Sequence, residues 1–105
     1  MSKLYLAGPM RGYPYFNFPA FAGAAARLRT SGHEVVSPAE MDRALGFDEA
    51  AQTLAGFDMR AALKRDVEAL FEVDGIYMLT GWESSNGARA EHALAVALGL
   101  VMFYE

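Results

Sequence analysis

Two acidic side chains stand in this sequence where apolar ones are expected. If Gly87–Leu98 is a helix, Glu91 shares its face with Gly87 and Ala88 before it and Leu94, Ala95 and Leu98 after it. All of these neighbours are apolar or small. If Asp58–Glu72 is a helix, Asp66 shares its face with Ala62, Leu63 and Leu70. Ionised carboxylates are almost never fully buried without partners, and desolvation raises their pKa. Two of them on core-facing stripes are therefore candidates for chemistry. One carboxylate can stabilise or trap a developing cation, and a second with a raised pKa can protonate a leaving group near neutral pH. The plainer alternative is that either acid lies at the edge of its stripe and meets a surface arginine, such as Arg60 or Arg89. Asp74, at the entry of a strand, reads as a turn or cap residue.

Two turns are suited to an anion. Ser84-Ser85-Asn86-Gly87 leads directly into the helix of Glu91, where free N–H groups and the helix dipole favour negative charge. The same residues make an ordinary N-cap, and the two uses are compatible. Gly8-Pro9-Met10-Arg11-Gly12 is a tight turn with one cation, and Arg11 can hold a phosphate bidentately or sit in solvent. The turn is neither the dinucleotide fingerprint nor the lysine-bearing phosphate loop, and no cofactor is expected. Tyr13, Tyr15, Phe16 and Phe18 crowd together after it; they can stack on a base, or serve equally as a flap or subunit contact. His33 and His92 share no ligand spacing with each other or with nearby acids, so no metal site is expected.

The elements that must position these residues alternate. Leu4–Ala7 is a short apolar run stopped by Gly8-Pro9, which predicts a buried strand. Phe18–Thr30 is alanine-rich, with Asn17 placed to cap it, Pro19 in its first turn and Gly32 past its end, and predicts a helix. His33–Ser37 is strand-like and closed by Pro38. Pro38–Gly56 reads as a loop with a short helix around Asp48–Leu54. Asp58–Glu72 follows as a helix, then Gly75–Leu79 as a strand, Thr80–Asn86 as a loop, and Gly87–Leu98 as a helix ended by Gly99. Leu100–Tyr104 is the last strand. Strands separated by helices imply a parallel sheet of four to five strands covered on both faces. Ligands of such sheets sit beyond the carboxyl ends of the strands. That rule points to Gly8–Gly12, to the loop after Ser37 and to Thr80–Gly87.

The bulk numbers fit one domain, residues 1–105. The chain has 105 residues, 53% of them hydrophobic, and no cysteine, which excludes a disulfide framework. No leader or membrane-length apolar run is read, so the expectation is a cytoplasmic protein that does not engage a membrane. The net charge of −4 carries no basic stripe for a nucleic-acid polymer, while one or two arginines can serve a small anionic metabolite. Ala90, Ala93, Leu94, Ala95, Val96, Ala97 and Leu98 make the last helix apolar nearly all round. One sheet face cannot cover that circumference, so a homo-oligomer is expected.

Leu4 to Gly12, Arg65 to Leu70 followed by Val73-Asp74, and Ser85-Asn86-Gly87-Ala88-Arg89-Ala90-Glu91 continuing through Ala97-Leu98-Gly99 together resemble the nucleoside 2-deoxyribosyltransferase superfamily. They look most like its short bacterial and phage members and are similar to the 2′-deoxynucleoside 5′-phosphate N-hydrolases. The resemblance implies a flavodoxin-like (Rossmann-like) three-layer fold that cleaves the bond between a base and a (deoxy)ribose in a small-molecule nucleoside or nucleotide. It assigns Glu91 as nucleophile toward the anomeric carbon, Tyr5 as the residue orienting it, and Asp66 as a sugar contact or proton donor. It assigns Arg11 and Ser85 to phosphate contact, within a binding set of Gly8, Met10, Arg11, Gly12, Ser85, Asn86 and Gly87. Pro9 departs from the hydroxyl residue usual there in the monophosphate hydrolases.

Overall fold

The computed structural model describes residues 2–51 and 53–105. Four strands, β1 (Lys3–Ala7), β2 (Glu34–Val36), β3 (Gly75–Met78) and β4 (Val101–Tyr104), form one sheet in the order β2-β1-β3-β4. All three pairings are parallel, with Leu4 opposite Val35, Tyr5 opposite Ile76 and Met78 opposite Tyr104. The helices are α1 (Phe18–Thr30), α2 (Pro38–Ala44), α3 (Met59–Leu70) and α4 (Asn86–Leu98). This is the flavodoxin-like three-layer arrangement that the alternation of elements implies.

Side-chain alternation along β1 assigns the layers. Leu6 points into a cluster with Phe18, Phe21, Ala24 and Ala25, so α1 covers one face. Tyr5 and Ala7 point the other way, toward Leu70 of α3 and Ala95 of α4, with Ile76 and Met78 beside them. The chain leaves β1 toward β2 and leaves β3 toward β4, on opposite sides of the sheet. The crevice where that direction reverses is the expected ligand position. Ala7 and Met78 are the last paired residues of β1 and β3, so the turns that follow them diverge around it. Gly8 starts one of these turns under a close constraint: a Cβ there would lie 2.7 Å from the Cβ of Leu79.

Three local expectations are corrected. Pro38–Ala44 is a helix rather than loop, and the stretch expected to be helical around Asp48–Leu54, of which residue 52 lies outside the described residues, carries among its described residues only a 3-10 turn at Glu49–Ala51. Seven residues make too short a helix to stand alone. The contacts that hold α2 are tertiary: Ala39 in the core, Glu40 paired with Arg29, and Asp42 paired with Arg65. Asn17 does precede α1, but its side chain does not cap it. Tyr15, Phe16 and Asn17 all have positive φ (51°, 51° and 63°), and Asn17 Nδ2 instead donates to the Pro9 carbonyl at 2.9 Å. Left-handed backbone is disfavoured for L-residues, and the cross-link to the β1 turn helps to hold it. Asn17→Ala is expected to lower the unfolding free energy by about 2 kcal/mol, and Asn17→Gly by about half as much, because glycine keeps the left-handed geometry without strain. Urea denaturation of the two variants tests this ranking.

Candidate active site

A cleft of about 510 Å³ opens at the carboxyl end of the sheet. Its walls are the β1 turn, the first half of α3 and the start of α4. Gly8, Met10 and Arg11 line it from the turn, Ser85, Asn86 and Gly87 from the head of α4, and Asp66 and Glu91 from within the two helices. Thus eight of the ten residues singled out above as site candidates lie along one cavity. Tyr5 is completely buried beneath it. Gly12, exposed and with a φ of +82°, is outside the lining.

Glu91 is buried, with 6% of its surface exposed, as its apolar neighbours on α4 require. The Tyr5 hydroxyl donates to Glu91 Oε2 at 2.6 Å across 86 residues of sequence. Strand alternation directs Tyr5 toward the α3–α4 layer, and the parallel pairing of β1 with β3 sets its ring at the base of the cleft. Burial pushes the Glu91 carboxyl up to about 8; the Tyr5 hydrogen bond opposes that rise, and the negative charge of Asp66 adds to it. Burial and the two nearby carboxylates likewise raise Tyr5 well above the usual phenol value, so its proton stays in place as a donor.

Asp66 is held differently. Arg65 Nη2 donates to Asp66 Oδ1 at 2.8 Å and to Asp42 Oδ1 at 2.7 Å, so one guanidinium ties two acids together. The cation partly offsets the desolvation of Asp66, whose pKa rises only to about 6. Neither Arg60 nor Arg89 forms an ion pair among the described residues. With values near 6 and 8, the two cleft carboxylates hold about one proton between them at neutral pH.

At the head of α4, Ser85 is the N-cap, its Oγ accepting from the Ala88 N–H at 3.2 Å. The preceding N–H groups of that first turn have no intrahelical partner. Asp74, expected as a turn or cap residue, instead accepts from the Lys3 N–H at 2.9 Å and so ties the start of β3 to that of β1. The four aromatic residues after the turn do not line the cleft. Phe16 and Phe18 pack against Phe47, Phe18 being fully buried, while Tyr15 is exposed. The aromatic ring that does line the cleft is Phe57. His92 stacks on Trp82, with ring centroids 4.3 Å apart, and bonds the Tyr104 hydroxyl at 2.8 Å.

Arg65, Asp42 and Phe57 are among the lining or linking residues not singled out by the sequence patterns. Arg65 had a signal, since it adjoins Asp66 in the sequence. Asp42 had none, because its helix reads as loop. Phe57 sits at the edge of the α3 cap and carries no pattern of its own.

Residues 2–104 match the family described as a domain of unknown function, DUF4406. The chain belongs to the DUF4406 family. No curated protein matches it. The DUF4406 match spans both the β1 turn and the α3–α4 pair, so the whole cleft lies within the family domain.

Proposed function

We propose that this DUF4406 protein is an N-glycosidase that cleaves the base–(deoxy)ribose bond of a nucleoside 5′-monophosphate or related nucleotide. The reading follows the resemblance to the nucleoside 2-deoxyribosyltransferase superfamily. The observation that carries it is the buried Glu91 carboxylate, gripped by the Tyr5 hydroxyl at 2.6 Å on the wall of a cleft that also holds Asp66.

Glycosidic cleavage passes through an oxocarbenium-like state. The reactive arrangement of the one-proton pair carries its proton on Asp66 and leaves Glu91 ionised, the less populated of the two given values near 6 and 8. From it, in the first step, the Glu91 carboxylate bonds to C1′ as the C1′–N bond breaks. The departing base keeps the electron pair and takes the proton of Asp66. In the second step water attacks C1′ of the glycosyl ester, Asp66 takes the water's proton, and Glu91 leaves as carboxylate. The sum is nucleotide plus water giving free base plus sugar phosphate, with no metal or cofactor required. Two inversions at C1′ give net retention. Arg11 and the unpaired N–H groups at the head of α4 form the cationic end of the cleft, suited to the phosphate. The reaction suits a cytoplasmic enzyme, and the apolar α4 surface suits a homo-oligomer.

Incubating the protein with purine and pyrimidine nucleoside 5′-monophosphates and following free base by chromatography tests the proposal. Release in water alone supports hydrolysis. Release only when a second base is added identifies transfer, and tight binding with no release identifies a nucleotide-sensing module. No binding and no release overturns the reading.

Tyr5→Phe is expected to lower kcat about 10- to 100-fold, since the removed hydroxyl orients the nucleophile and lowers its pKa. Glu91 then titrates above 8, so the alkaline limb of the pH–rate profile should lie at higher pH than in the parent. A pH–rate profile shows the shift, and an unmoved profile would separate Tyr5 from Glu91.

A further inference from the structure

The outer surface of the α3–α4 layer is apolar although it faces solvent. Met59, Leu63 and Phe71 on α3 are 40%, 39% and 63% exposed, and Val67 fills the turn between the last two. These four are spaced every fourth residue and so form one stripe. On α4, the other helix of this layer, Ala90, Ala93 and Ala97 are exposed and small enough for close helix approach, and Leu98 is 37% exposed. Contiguous exposed apolar surface of this kind marks an interaction site.

The flank of the stripe indicates what covers it. Arg60 and Lys64 occupy the first half of α3, and Glu68 and Glu72 the second half and the residue beyond its C-cap. All four side chains are exposed, and none forms an ion pair among the described residues. A surface that is basic at one end and acidic at the other is complementary to itself when turned end for end. A two-fold axis does that, and two-fold dimers use the same patch on both copies.

We infer that α3 docks antiparallel onto α3 of a second copy of this chain. The spacing sets the register: Met59 opposite the partner's Phe71, Leu63 opposite the partner's Val67, Arg60 opposite the partner's Glu72, and Lys64 opposite the partner's Glu68. Met59, Arg60 and Leu63 also line the cleft. The partner's Phe71 therefore covers the outer rim of each cleft, and each site is walled in part by the other copy. Electrostatic complementarity at the flank specifies the register, and the apolar stripe supplies the main drive.

The test uses two charge-reversed proteins, one Arg60→Glu with Lys64→Glu, the other Glu68→Lys with Glu72→Lys. Light scattering at about 50 μM should show the parent as a dimer. Each variant alone should be a monomer, because its α3 flank then carries one sign throughout, with dimer affinity down at least 100-fold. An equimolar mixture should restore a dimer containing one copy of each. Circular dichroism checks that both are folded, and Lys64→Glu with Glu68→Lys, mixed in the same way, replaces a pair that is not. A monomeric parent overturns the inference and leaves the face to some other partner. Variants that remain dimeric, or a mixture that stays monomeric, overturn the α3 pairing. None of these readouts depends on the proposed reaction.

Discussion

Glu91→Gln is expected to reduce release of free base by at least about 1000-fold, because an amide cannot form the glycosyl ester. The same substitution should make the protein more stable at alkaline pH. The introduced amide still accepts from the Tyr5 hydroxyl and fills the same volume, so packing is kept. What changes is the linkage to protons. The folded-state pKa of Glu91, about 8, lies above the ordinary value of 4.5, so between those limits the native state holds more protons than the unfolded one. Its contribution to stability is full below about pH 4.5 and is lost as pH rises through 8. Glutamine does not titrate. The variant's advantage should thus be absent near pH 4.5 and grow to about 3 kcal/mol or more by pH 9. Urea denaturation at those two pH values, alongside the turnover assay, reads both effects. A variant that still turns over would remove Glu91 from its role, and one that weakens between pH 5 and 9 as the parent does would show that Glu91 is not the buried titrating group.

Asp66→Asn should lower kcat about 100- to 1000-fold for substrates whose base must be protonated to leave. Substrates whose base is already cationic before cleavage and so leaves neutral without a proton, such as an N7-methylated purine, should lose much less. The parent's kcat/KM should follow a bell with limbs near pH 6 and pH 8, the limits between which the carboxylate pair holds one proton. In the Asp66→Asn variant the alkaline limb disappears, leaving a rate that climbs to a plateau as Glu91 ionises. The climb is centred below 8, because the Asp66 charge that raises Glu91 is gone. Arg65 keeps its bond to Asp42, so the fold should survive the change. Equal losses for both substrate classes would show that Asp66 is not the proton donor.

The charge-swap dimer test bears on both experiments, since a rim completed by a second copy makes turnover depend on protein concentration. Dilution below the dimer's dissociation constant should then lower specific activity together with the dimer fraction. The remaining two substitutions separate roles within one chain: Asn17 is expected to act on stability through the β1 turn, and Tyr5 on Glu91, the proposed nucleophile.

Legibility in the sequence divided along physical lines. Helical and strand periods are local properties, set by burial on one face, and they were enough to place β1, α1, α3, β3, α4 and β4. The same periods marked Glu91 and Asp66 as acids on buried stripes, and the strand-end rule picked out Gly8, Met10, Arg11, Ser85, Asn86 and Gly87 as lining. Marginal elements were not legible. The seven residues of α2 are too few to form a helix alone and do so only through Ala39, Glu40 and Asp42, whose partners lie in the core, on Arg29 and on Arg65. Asn17 is a good N-cap by type, yet the fold uses its amide to hold the Pro9 carbonyl.

By itself, then, the sequence determined a parallel α/β chain with two carboxylates turned inward, because burial periodicity acts over three or four residues and needs no partner. Only the tertiary structure decided which groups those carboxylates meet. Strand order and register brought Tyr5 to Glu91 from 86 residues away, and side-chain reach selected Arg65 over Arg60 and Arg89 for Asp66. Contacts between distant segments depend on the relative placement of whole elements, and a pattern read one helix or strand at a time does not contain it.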